Sequence, residues 1–97
     1  MPTAKPAVSK RFAKEVRKCL NRHDLMGLIA EGAPEDEYEY QEAAILRKLP
    51  NCKSVLSLQA MLHDEFCHWF NAHKAGSADR YRAPATDLFR LYKEFTK

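Results

Sequence analysis

Apolar residues recur at spacings of three and four in four separate stretches, and nowhere do they alternate with polar residues at a spacing of two. That pattern leaves little but helices open to the chain, because a spacing near 3.6 aligns side chains on one helical face and a spacing of two aligns them on one face of a strand. The first stretch is Phe12, Val16, Cys19 and Leu20. The second is Ala43, Ile45, Leu46 and Leu49. The third is Val55, Leu58, Leu62, Phe66 and Trp69, with Met61 and Phe70 on its flanks. The fourth is Tyr81, Ala85, Leu88, Tyr92 and Phe95. The expected fold class is all-α, a compact bundle of about four helices with short loops.

Turn residues punctuate the pattern. Ser9 can cap a first helix ending near Asn21, with Val8 just before the cap. Residues 25–34 are apolar but interrupted by Gly27, Gly32 and Pro34, which predicts a helical turn and a loop that tucks Leu25, Leu28 and Ile29 into the core. Pro34 can open a further turn, with Glu35, Asp36 and Glu37 at its start, where a helix dipole favours anions. The second helix is expected over residues 39–48, stopped by Pro50. The third is expected from residue 55 to about 72 behind a Ser54 cap; it is the longest and most apolar, and therefore central. A turn at Lys74, Ala75, Gly76 and Ser77 precedes a last helix ending near Phe95. Pro84 requires that helix to begin close to it or to kink there.

Ninety-seven residues correspond to one domain, and a chain of that size buries roughly 60–68% of its unfolded surface, enough for one modest core. With 45% hydrophobic residues and three glycines the composition is that of a globular protein. The expected organisation is a disordered tail over residues 1–8, which hold Pro2 and Pro6, and a single helical domain over residues 9–97. Cys19, Cys52 and Cys67 are odd in number and unpatterned, which speaks against a disulfide scaffold and for a reducing cytoplasm. No apolar run reaches the roughly 18–20 residues of a membrane span, and the N-terminus lacks the apolar core of a signal peptide.

The net charge of +3 is mild, but its distribution is not. Residues 1–23 hold seven bases (Lys5, Lys10, Arg11, Lys14, Arg17, Lys18 and Arg22) and one acid, Glu15. Residues 24–42 hold seven acids (Asp24, Glu31, Glu35, Asp36, Glu37, Glu39 and Glu42) and no base. A basic first helix is therefore followed at once by an acidic segment.

Three stretches resemble a known family. Gly27-Leu28-Ile29, continued by Gly32-Ala33-Pro34-Glu35-Asp36-Glu37-Tyr38, is similar to the small bacterial YugE-like helical proteins, a domain of unknown function. Looser similarities follow at Leu62-His63-Asp64-Glu65-Phe66-Cys67-His68-Trp69-Phe70 and at Ala75-Gly76-Ser77-Ala78-Asp79-Arg80-Tyr81, so the resemblance spans roughly residues 24–92. It implies a helical fold and a cytoplasmic bacterial setting and carries no activity. Pro84 and the basic first helix depart from the family's pattern. Small proteins of this general kind also act as immunity partners of bacterial toxins, an analogy of context.

The candidate chemistry is sparse. His63 and Cys67 stand four apart on one helix, and His73 or Cys52 could add a third ligand, but the HExxH and CxxC patterns are absent; the ordinary explanation is a buried thiol beside a boundary histidine, and no metal or other cofactor is expected. Cys67 and His63 also meet the residue types of nucleophilic catalysis, yet no glycine-rich turn builds an oxyanion hole, so no catalytic residues and no enzyme activity are expected. Glu35 to Glu39 lacks the ligand spacing of a calcium loop. The aromatic residues of the last two helices read as core.

Two surfaces remain. Glu35, Asp36, Glu37, Tyr38, Glu39 and Tyr40 would suit a basic protein partner, with carboxylates steering association and tyrosines anchoring it; the ordinary alternative is helix capping and solubility. The expected function is a non-enzymatic protein-binding domain of the immunity-protein or antitoxin kind, which occludes a basic toxin domain stoichiometrically. The second reading is nucleic-acid binding through Lys10, Arg11, Lys14, Arg17 and Lys18. Against it stand the adjoining acids and the lack of aromatics among the bases.

Overall fold

A computed structural model describes residues 10–96. The tail expected over residues 1–8, the Ser9 cap and the placement of Val8 lie outside the described residues. Helix α1, Lys10–His23, buries Phe12, Val16, Cys19 and Leu20, the four residues its periodicity selects. It ends where Asp24 turns into the left-handed region at φ 46°, with the Asp24 amide donating to the Leu20 carbonyl at 2.8 Å. Aspartate tolerates that conformation better than most residues because its short side chain can bond the local backbone.

Residues 24–38 form successive turns rather than a helix. Leu25, Leu28 and Ile29 pack against the core as expected. The turn after Pro34 closes by Glu37 N–H donating to the Pro34 carbonyl at 3.1 Å, and Glu39 N–H to Asp36 at 3.1 Å. Glu35, Asp36 and Glu37 therefore precede the next helix instead of opening one. Helix α2, Glu39–Lys48, has the expected bounds but a different inner face. Gln41, Glu42, Ala44 and Ile45 are buried and Ala43 is exposed. An apolar-only pattern missed this rotation because two of the inward positions carry polar residues, Gln41 and Glu42, the second of them bonded by Arg17. A short 3₁₀ turn, Leu49–Asn51, carries Pro50 and ends the helix.

Helix α3, Val55–Phe70, starts at a reciprocal cap: Ser57 N–H donates to Ser54 Oγ at 3.1 Å and Ser54 N–H to Ser57 Oγ at 3.1 Å. Such a cap contributes about 0.5–2 kcal/mol. The helix ends two residues earlier than its periodicity suggests. Asn71, at φ 78°, breaks it and caps the one-turn helix α4, Ala72–Ala75, by accepting from Lys74 N–H at 2.9 Å. Gly76 follows at φ 80°; a Cβ there would also come within 3.0 Å of the Arg80 guanidinium carbon, which closes the space over the turn. A 3₁₀ turn, Ala78–Tyr81, leads into α5, Arg82–Phe95. Pro84 is the third residue of α5. The helix thus begins close to Pro84, the first of the two arrangements the proline allows; the first four N–H groups of a helix have no partner within it, so the proline removes no helical hydrogen bond there.

Leu58, Leu62 and Phe66 of α3 meet Ala85 and Leu88 of α5 and the apolar face of α1 in one core. Phe12 lies against Tyr92 and Phe95, with ring centroids 6.1 and 5.2 Å away. Tyr81 is fully buried and its hydroxyl donates to the Ala75 carbonyl at 2.6 Å, joining the 3₁₀ turn before α5 to the end of α4. Trp69 departs from the expected stripe: it is 46% exposed, while Phe70 turns back to stack on Phe66. Four helices of ten residues or more and one single turn thus make an all-α bundle. No strand occurs among the described residues, and none of their helices is long and apolar enough to cross a membrane.

Candidate functional site

The six residues singled out in the acidic stretch do not share one fate. Tyr38 is 1% exposed, a correction to its expected place on the surface. Its ring lies 6.1 Å from Phe66, and its hydroxyl donates to Asp24 Oδ1 at 2.8 Å. The same oxygen accepts from Met26 N–H at 3.1 Å and Leu28 N–H at 3.4 Å. Asp24 in turn accepts from Ile29 N–H and Ala30 N–H, each at 2.9 Å. A buried hydroxyl and a carboxylate thus satisfy four backbone donors of an irregular loop, which an unpartnered buried amide requires. Burial raises the Asp24 carboxyl, but the bonds from Ile29, Ala30, Tyr38 and Leu28 outweigh it and hold the group below its ordinary value. Burial, and then Asp24 itself, push the Tyr38 phenol up to about 12. Tyr38 is structural, and the apolar signal that could have revealed it is its position one residue before α2, where the chain must be pinned to the core.

Glu42 is also absent from the surface, at 7% exposure. Arg17 Nε donates to both its oxygens, at 3.1 and 3.0 Å, tying α1 to α2. Burial pushes the Glu42 carboxyl above its ordinary value against the opposing pull of Arg17, because a single shared N–H does not replace its lost hydration. Asn21 adds a second tie, its Nδ2 donating to the Glu35 carbonyl at 2.8 Å. The acidic segment therefore folds onto the basic helix. An open cleft of about 320 Å³ between them is lined by Lys10, Lys14, Arg17, Lys18, Glu35 and Glu42 together. Arg11 lies on another side of α1, its guanidinium 5.8 Å over the Phe95 ring.

Glu35, Asp36, Glu37, Glu39 and Tyr40 are exposed. None of the four carboxylates has an ion-pair partner among the described residues. Tyr40 is 68% exposed and stacks on the exposed Trp69, with centroids 5.4 Å apart and planes 16° from parallel. The pair forms one wall of an open cleft of about 390 Å³ that also holds Arg47, Lys48, Glu65 and His68. Sequence reasoning missed Trp69 as a surface residue because its spacing fits the buried stripe; in the fold it lies beside the exposed Tyr40 instead of in the core.

His63 and Cys67 lie on α3 without joining a third ligand among the described residues. The His63 Nε2 contacts the Gly76 carbonyl at 2.8 Å. A carbonyl only accepts, so Nε2 carries the proton and the ring braces the turn after α4. The set of His, Cys and acidic side chains that does converge is another one, Cys19, His23 and Asp87, between α1 and α5. Comparison with family models, curated proteins and solved structures finds no match to the chain in any of the three.

Proposed function

We propose that the protein is a non-enzymatic binding protein that docks a basic protein surface through the ridge formed by Glu35, Asp36, Glu37, Glu39 and Tyr40. The observation that carries this reading is the pairing of exposed, unpartnered carboxylates with an exposed aromatic stack, Tyr40 on Trp69. Exposed carboxylates steer a cationic partner and raise its association rate, while an aromatic pair at the edge supplies buried area on docking. Tyr38 is removed from the docking set and Trp69 enters it. In its specific form the reading is an immunity protein that neutralises a basic toxin domain by stoichiometric occlusion, in keeping with the YugE-like resemblance and its bacterial setting.

The competing reading is a nucleic acid along α1, since Lys10, Lys14 and Lys18 remain exposed around one cleft. It is weaker because Arg17 is engaged by Glu42, and Glu35 and Glu42 line the same cleft, where they repel phosphate.

The test is affinity capture from the native host with the wild-type protein, a Glu35→Ala/Asp36→Ala/Glu37→Ala variant and a Tyr40→Ala/Trp69→Ala variant, each first checked by thermal melting. The reading expects one basic protein at one-to-one stoichiometry, weakened at least about tenfold by each variant with melting nearly unchanged. A partner held equally by all three proteins overturns the docking ridge. A salt-sensitive shift of DNA or RNA lost on Lys10→Ala/Lys14→Ala/Lys18→Ala, without a protein partner, replaces it with the nucleic-acid reading.

A further inference from the structure

Cys19 and His23 stand four residues apart on α1, and Asp87 of α5 faces them across the helix interface. Their ligand atoms, one thiol sulfur, one imidazole nitrogen and one carboxylate oxygen, all lie within 4.8 Å of one another. His23 Nε2 is already 2.8 Å from Asp87 Oδ2. Cys19 is buried; His23 and Asp87 are partly buried. We infer that Cys19, His23 and Asp87 form a binding site for a divalent transition-metal ion of the zinc class, set between α1 and α5. This site is independent of the docking ridge.

The donor set decides the class of ion. A thiolate and an imidazole select zinc and its neighbours, cobalt and nickel, over magnesium or calcium, which want oxygen alone. In a tetrahedral zinc site, metal–ligand bonds of about 2.0–2.3 Å put the ligand atoms roughly 3.3–3.7 Å apart. The atoms here stand close enough for side-chain rotation alone to reach that spacing. Three protein ligands leave a fourth position, which would take water or a ligand from outside. An open cleft of about 220 Å³ supplies the path: Cys19 and Asp87 line it, with the carboxylates of Glu15 and Glu94 and the guanidiniums of Arg22 and Arg90 around them.

Two opposing effects are built in. Arg22 at 3.4 Å and Arg90 at 3.5 Å neutralise Asp87 and compete with a cation for it. Burial, with Asp87 adding to it against Arg22, pushes the Cys19 thiol up to about 11, so the ion must displace a proton. On binding, the sulfur–hydrogen bond breaks and a metal–sulfur bond forms. The thiol proton goes to solvent, and His23 moves its ring proton from Nε2 to Nδ1. No electron is transferred. Without metal, the same three residues act as a hydrogen-bonded His23–Asp87 pair and a packed thiol that hold α1 to α5.

Cobalt(II) is the probe, added to reduced, metal-free full-length protein. The inference expects a one-to-one complex with a near-ultraviolet thiolate-to-cobalt band, bleached by zinc, and a rise in melting temperature with zinc as mass action requires. Cys19→Ala should abolish the band. Asp87→Asn and His23→Gln should each weaken binding at least about tenfold, since loss of even an outer partner of a ligand costs about 10–100-fold. Should Cys19→Ala fail to fold, those two variants, on partly exposed side chains, carry the test. No band in the wild type overturns the inference, as does one that survives Asp87→Asn and His23→Gln unweakened. A band lost on Cys67→Ala instead overturns it in favour of the His63–Cys67 pair.

Discussion

Asp24 and Glu42 stand at the two ends of one acidic run, with Glu31, Glu35, Asp36, Glu37 and Glu39 between them, yet the ends belong to the fold and the middle to the solvent. Asp24 is held by two backbone amides and a buried tyrosine hydroxyl. Glu42 is held by Arg17. The middle carboxylates have no ion-pair partner among the described residues. The difference shows that an acidic composition does not define a surface: a carboxylate is drawn into the structure wherever backbone donors or a guanidinium would otherwise go unsatisfied. The two ends also differ from each other. Asp24 meets several converging donors and becomes a stronger acid; Glu42 meets one shared N–H and becomes a weaker one.

The largest effect should come from Tyr38→Ala. It removes a ring packed on Phe66 and the hydroxyl that receives Met26 and Leu28, and should cost about 3–5 kcal/mol. For a domain of this size that corresponds to a fall in melting temperature of more than about 10 °C, readable by circular dichroism. A fall of only a degree or two would mean that Tyr38 belongs with the exposed middle after all. Asp24→Ala comes next, at about 1.5–3 kcal/mol, because it strands two loop amides and the Tyr38 hydroxyl.

The pH dependence separates the two ends. The folded Asp24 pKa lies below its unfolded value, so its contribution is present above the unfolded carboxyl range and is lost as pH falls through the folded value. The folded Glu42 pKa lies above its unfolded value, so its contribution is fully present below the unfolded range and fades as pH rises through the folded one. Denaturation at a series of acidic pH values should therefore give Asp24→Ala a stability deficit that shrinks as pH falls. Glu42→Gln should compare best with wild type at neutral pH, with a change within about 1 kcal/mol there, since replacing a costly buried charge by its neutral isostere leaves shape intact. A deficit several times larger would show that the Arg17 pair is a strong tie.

The smallest effect belongs to the exposed middle. Glu35→Ala/Asp36→Ala/Glu37→Ala should change stability by no more than about 0.5 kcal/mol per site, because none of these side chains has an ion-pair partner to lose. A melting curve that collapses would move these residues to the structural side of the comparison and remove the ridge.

Much of this was legible without coordinates, and the failures share one cause. The faces of α1 and α5, the Ser54 cap and the stop at Pro50 follow from spacing and turn chemistry. The same spacing predicts Ala43 and Trp69 on inner faces, and both are exposed. In α2 the inward positions went to Gln41 and Glu42, whose polarity hid them from an apolar count. In α3 the periodicity ran past the Asn71 break. Tyr38 looked like a surface anchor because its neighbours are all acids, and its burial depends on Asp24 and Phe66, fourteen and twenty-eight positions away.

The sequence by itself determined the helical class, the main core residues and the charge imbalance, because helical period and turn propensity are local properties of the chain. Only the tertiary structure decided which acids are spent on the fold, which aromatics stay outside, and that Cys19 and His23 meet Asp87, sixty-four residues beyond His23. Those are encounters between side chains on different helices. They depend on how the elements pack and rotate against one another, which no local spacing specifies.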